Sequence, residues 1–199
     1  MTKKTHALIW ISLATLVSAA QADDKKPAAG APAMPAVKPA EPAKPPEAPK
    51  PAQEMADALK AMAGTWKCTG TADMGGTSMD IKSTITHKTD LNGFWIQSSF
   101  VGTAGKLPPY KFTVMTTYDA AAKKWWRTSV NGRGGHRTET GTQAGTKITW
   151  EGDSRMMGND SKVRDTEEMV GPKEWHVSGE SSKDGGKTWS KDHEATCKK

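Results

Sequence analysis

The chain has 199 residues, of which 25% are charged, a net charge of +6 and a mean hydropathy of −0.66. Its basic residues are scattered singly, a pattern that gives solubility rather than a nucleic-acid footprint. Two cysteines are too few for a structural zinc site unless histidines contribute.

Lys3 and Lys4 precede the apolar run from Ala7 to Val17, and Ala20-Gln21-Ala22 follows. A basic start, a short apolar stretch and an A-x-A site together predict a signal peptide over 1–22, cleaved after Ala22. The apolar run is far shorter than the roughly 20 residues a membrane helix needs, so a retained anchor is the lesser alternative. No later segment is apolar enough to span a bilayer, so none is expected in the mature chain. The address that follows is periplasmic or secreted.

Residues 23–52 hold nine prolines and nine alanines, with lysine and glutamate between them. Proline fixes φ and removes a donor, and alanine with scattered charge supplies no core. This stretch reads as a disordered, extended tether. A domain of 147 residues remains over 53–199, long enough for a real core. Removing Lys3, Lys4 and the tether, with its five lysines and four acids, leaves that domain near +3.

The domain opens with a helix over Gln53–Met62, in which Met55, Leu59 and Met62 form one apolar stripe and Gly64 ends the run. Such a helix is marginal alone and must pack on something, for which one end of a barrel is a natural place. Period-two segments follow, separated by turn residues. Trp66, Cys68 and Gly70 share a face, as do Met79, Ile81, Ser83 and Ile85, with His87 at the end of that face near a rim. Phe94, Ile96, Ser98 and Phe100 form a third set, and Phe112, Val114, Thr116 and Tyr118 a fourth. Trp126, Thr128 and Val130 read as the inward face of a fifth strand. Segment 133–141 is weak as a strand because it is polar and glycine-rich, and 162–170 is polar on both faces until Met169. Ile148 with Trp150, and Trp175 with Val177, are clearer. The last strand puts Trp189, Lys191, His193, Ala195 and Cys197 on one side.

About eight to ten short strands with no long interior helix predict a mainly β fold, an antiparallel up-and-down barrel with one short N-terminal helix. A β-sandwich is the competitor. Cys68 and Cys197 lie in the first and last strands, which pair directly in a closed barrel, and an oxidising compartment would let them form a disulfide. Two free thiols are the alternative. They lack C-x-x-C spacing.

Ser182-Lys-Asp-Gly-Gly-Lys-Thr-Trp189 fits the Asp-box pattern S-x-D-x-G-x-T-W. A single copy is a hairpin-folding device, in which Asp184 binds turn amides and glycine supplies positive φ. Glu167 and Glu168 are adjacent, so they point to opposite faces and cannot act as an acid–base pair with each other. Asp192 and Glu194 share a face that reads as solvated. His193 shares its face with Cys197 and is the candidate interior histidine. No H-E-x-x-H, G-x-S-x-G, G-x-G-x-x-G or P-loop occurs, so neither a metal site nor a cofactor site is expected. Seven tryptophans in the domain are many, and inward indoles alternating with small polar residues describe an apolar cavity dotted with hydroxyls.

The order Met62-Ala-Gly-Thr-Trp66, Leu91-Asn-Gly-Phe-Trp95, Thr117-Tyr-Asp119 followed by Trp126, and Asp184-Gly-Gly-Lys-Thr-Trp189 resembles the DUF1579 family of bacterial proteins, over roughly 55–197. That resemblance implies a calycin-like barrel similar to lipocalins and fatty-acid-binding proteins, and it carries no catalytic residues. Haem-binding barrels are a more remote analogy; His193 would be the proximal ligand, and the surrounding haem-pocket residues do not match.

The leading expectation is an exported barrel that binds a small apolar or amphipathic molecule, lined by Trp66, Ile96, Phe112, Val114, Trp126, Trp150 and Trp175 with His193 as polar contact. The alternative is a non-catalytic envelope domain with a filled barrel that meets another envelope protein. A hydrolase or isomerase using His193 ranks third.

Overall fold

Strand alternation becomes a closed cylinder in the computed structural model, which describes residues 47–199. The expected signal peptide and all but the last residues of the tether lie outside the described residues. Helix α1 spans Gln53–Met62, and ten strands follow: β1 Gly64–Asp73, β2 Ser78–Asp90, β3 Trp95–Ala104, β4 Tyr110–Asp119, β5 Lys124–Asn131, β6 His136–Ala144, β7 Lys147–Met156, β8 Asn159–Gly171, β9 Glu174–Ser182 and β10 Ser190–Lys198. Every strand pairs antiparallel with its neighbours in sequence, and β1 pairs with β10 to close the ring. The fold is therefore an up-and-down barrel, and the sandwich is ruled out.

Closure places Cys68 directly opposite Cys197, with the Cα atoms 3.9 Å apart and the sulfurs bonded. Both half-cystines point inward and are almost fully buried against Trp66, Ile85, Trp175 and Ala195. Two glycines show how tightly the strands approach. A Cβ on Gly70 would lie 1.9 Å from the Glu194 carbonyl oxygen, and one on Gly152 would lie 2.0 Å from that of Thr138. Only a residue without a side chain allows that approach.

Helix α1 packs at the end where β1 begins, touching β2, β3 and β4. Met55 is its one fully buried residue and joins Ile96, Trp125 and Trp150 in a second apolar cluster. The C-terminal end of the helix is fastened by two hydrogen bonds, from Trp66 Nε1 to the Met62 carbonyl (2.7 Å) and from Lys199 Nζ to that of Ala61 (3.1 Å). Among the described residues no helix is long and apolar enough to cross a membrane.

Three expectations need correcting. Segment 133–141 contributes a full strand, β6, whose inward positions are Arg137, Glu139 and Gly141. Inward charge erased the apolar alternation that would have revealed it. In β5 the inward set is Trp125, Arg127 and Ser129, so Trp126 and Val130 face outward, 41% and 55% exposed. A shift of one residue exchanges the two faces of a strand, and the adjacent tryptophans left that phase open. In β10 the register slips between Lys191 and His193. That bulge takes Trp189 out of phase with Cys197. Trp189 instead sits in the turn before β10, beneath the Arg164 guanidinium at 4.2 Å.

The Asp-box turn behaves as expected. Asp184 Oδ1 accepts from Ser182 Oγ and from the backbone amides of Lys187 and Thr188, and Oδ2 accepts from Thr188 Oγ1 at 2.6 Å. The hydrogen bonds from Thr188 and then Ser182 hold the carboxyl well below its ordinary pKa range. Trp189 Nε1 closes the turn on the Gly186 carbonyl (3.0 Å).

Candidate functional site

The interior beneath α1 is not uniformly apolar, because β2, β5, β6 and β8 each turn a polar side chain inward. From β5, Arg127 reaches into the barrel and meets three carboxylates. Its Nε and Nη2 donate to both oxygens of Glu139 at 2.7 Å, Nη2 also donates to Asp165 Oδ2 at 2.5 Å, and Nη1 donates to Glu167. The guanidinium also stacks on Trp150, 4.2 Å from the ring centre. Burial opposes the Arg127 charge, but Glu167, Glu139 and Asp165 outweigh it and keep the group cationic. Glu167 is pushed the other way. Its burial, reinforced by Asp165 and Glu139 and opposed by Arg127, raises the carboxyl above its usual range.

A second arginine extends the network toward the other end of the barrel. Arg137 donates to Asp165 Oδ2 (3.3 Å) and to Asp192 Oδ2 (3.1 Å), and the same Asp192 oxygen lies 3.3 Å from His193 Nδ1. Burial raises the Asp192 pKa, but His193 and Arg137 more than offset it and hold the carboxylate below its usual range.

Between the Arg127 cluster and α1 lies a cavity of about 50 Å³. Its walls include Trp125, Trp150 and Trp175, with His87, Arg127 and Glu167 among them. The His87 ring stands edge-on to Trp175, and its Nδ1 is 2.7 Å from Ser98 Oγ. Burial, helped by the positive charge of Lys199, lowers the His87 pKa to about 4, so the ring is neutral at physiological pH. Two buried polar atoms of this wall, His87 Nε2 and Trp150 Nε1, have no hydrogen-bond partner among the described residues. Such groups cost about 1–3 kcal/mol each when left unpaired, so native interiors rarely leave them so without reason.

Of the residues expected to line a cavity, Ile96, Val114, Trp150 and Trp175 do so. Trp66 is fully buried in the disulfide cluster instead. Phe112 stacks on Phe100 at 4.2 Å, further along the barrel. Trp126 lies on the outer surface, where its β-strand phase puts it. His193 belongs to the Asp192–Arg137 chain and is not part of the cavity wall. The interior histidine is His87, whose in-phase position after Ile85 was a visible signal. Arg127 and Glu167 had none, since a lone charge on a strand reads as solvated and the Trp125–Trp126 pair left the phase of Arg127 open.

The model of the family described as protein of unknown function (DUF1579) matches residues 51–199. The chain belongs to the DUF1579 family. No curated protein matches it. Among solved structures, the crystal structure of Rv2717c from M. tuberculosis is similar at 12% identity and a TM-score of 0.58, covering 73% of this chain and 96% of that one. That likeness shows the fold alone. It is consistent with a calycin-type barrel, and in this DUF1579 barrel the site has to be read from its own side chains.

Proposed function

We propose that this chain is an exported, periplasmic or secreted binding protein that takes a small amphipathic ligand into the barrel beneath α1. The observation that carries the reading is the cavity under the helix, walled by three indoles and two buried polar atoms without partners, His87 Nε2 and Trp150 Nε1. An indole-lined pocket with a few convergent polar groups is the usual form of a small-molecule site. At about 30 Å³ of liquid volume per water, 50 Å³ accommodates only a head group. The rest of the ligand would lie where α1 now packs. The helix suits a lid: it has ten residues, one fully buried side chain and no side-chain N-cap. Its two C-terminal hydrogen bonds and Gly64, at φ 101°, make that end the hinge.

The same small volume favours a second reading, a filled barrel acting as a non-catalytic envelope domain. Native mass spectrometry of the protein purified from its own host's envelope separates the two. A stoichiometric co-purifying mass that disappears on denaturation is expected. An unliganded mass, together with no change in tryptophan emission across a panel of amphiphiles, would overturn the binding reading in favour of the filled barrel.

A further inference from the structure

The charges around the cavity restrict what its head group can be. Arg127 and Arg137 are the two cations of the interior network, against four carboxylates, Glu139, Asp165, Glu167 and Asp192. The one cation in the cavity wall, Arg127, already spends Nε, Nη1 and Nη2 on three of them. An anionic head group would therefore meet a guanidinium with its partners in place and the field of three carboxylates behind it. Lys199 lies outside the wall, 4.7 Å from the Trp66 ring centre and bonded to the helix, although its charge reaches His87 and opposes a cation there. His87 is neutral and nearly completely buried, and in the tautomer whose Nδ1–H donates to Ser98 Oγ its unpartnered Nε2 presents a lone pair. Glu167 and that lone pair suit a positive charge, Trp125 and Trp175 add aromatic surface to the wall, and the Trp150 Nε1–H donor is a wall group that a cation does not satisfy.

Resting on the binding reading above, we infer that the ligand is an amphipathic amine, its protonated head group held by Glu167, His87 and the surrounding indoles while its apolar portion emerges under α1. An ammonium beside Glu167 would act in the same sense as Arg127, opposing the burial that raises the carboxyl. The overall charge of the chain acts in the opposite direction. A basic protein draws anions to its surface, so a preference for an amine cannot come from nonspecific attraction.

Octylamine, 1-octanol and octanoate share a chain length and differ in head group. Their binding to the mature protein is followed at neutral pH by tryptophan emission and calorimetry, and again in Glu167→Gln. Octylamine is expected to bind about tenfold tighter than either competitor, the ratio set by about 1.4 kcal/mol. Glu167→Gln is expected to bring the three within about threefold of one another, with far-ultraviolet dichroism confirming that the variant is folded. Octanoate or octanol binding as well as octylamine to the wild type would overturn the amine assignment and leave the binding reading standing. So would an undiminished preference in a folded Glu167→Gln. Failure of all three amphiphiles to bind would bring down both. The wild-type comparison decides the question even if the variant does not fold.

Discussion

Replacing Arg127 with methionine tests whether the buried network is held together by charge. Methionine keeps much of the side-chain volume and the contact with Trp150 but leaves Glu139, Asp165 and Glu167 facing one another at 1%, 7% and 17% side-chain exposure. Removing one partner of a buried ionic cluster costs about 3–5 kcal/mol. In a domain of this size each kcal/mol moves the melting temperature by roughly 2–4 °C, so the variant should melt roughly 6–20 °C lower at pH 7.5. The deficit should depend on pH in a definite direction. Without the guanidinium, Glu167 loses the attraction that opposes its burial, so its folded pKa rises further above the unfolded value of about 4. The folded state then binds more protons in that interval, and stability rises as pH falls. Urea denaturation of wild type and variant at pH 7.5 and pH 5, followed by near-ultraviolet dichroism, measures the difference at each pH. That difference should shrink on acidification. A loss below about 1 kcal/mol, or an equal loss at both pH values, would refute the account of the cluster.

Three further outcomes follow from other parts of the barrel. His87 has its folded pKa depressed from 6.5 to about 4, so its contribution is present above pH 6.5 and is lost as pH falls toward 4. Wild type should lose about 3 kcal/mol over that window through this group, and His87→Gln should lack that limb; parallel stability profiles would count against a buried neutral imidazole. Reducing the Cys68–Cys197 bond, which closes a separation of 129 residues, removes about 5 kcal/mol by loop-closure entropy, a fall of roughly 10–20 °C in melting temperature; coincident melts of oxidised and reduced protein would contradict it. Trp125→Ala should cost about 3–5 kcal/mol as a core truncation, whereas the outward Trp126→Ala should stay within about 0.5 kcal/mol. Chemical denaturation of the two variants compares them directly, and a reversed order would mean that the two indoles had been assigned to the wrong faces.

Much of the architecture was legible because it rests on local rules. Alternation at Trp66–Cys68, Ile81–Ile85, Ile96–Phe100 and Phe112–Tyr118 identified strands and their inward faces, since side chains alternate whatever the strand pairs with. The Asp-box turn was equally readable, as all its bonds fall within Ser182–Trp189. The site was less so. Sequence pattern brought Ile96, Val114, Trp150 and Trp175 to the cavity but proposed His193 where the structure places His87. Height along the barrel decided that: His193 pairs with Ala72 near the far end of β1, whereas His87 pairs with Gly64 at the end under α1, and no local rule fixes which height carries the cavity.

Sequence by itself determined that this chain carries one strand-rich domain and that a cysteine in its first strand and one in its last suit a closed barrel. Tertiary structure decided what the barrel contains. Arg127, Glu139, Asp165 and Glu167 come from β5, β6 and β8, and each alone looks like solvated surface because burying a charge is unfavourable until its partners arrive. Those partners are neighbours only after the sheet closes on itself, so the polar interior is a property of the assembled barrel rather than of any one strand.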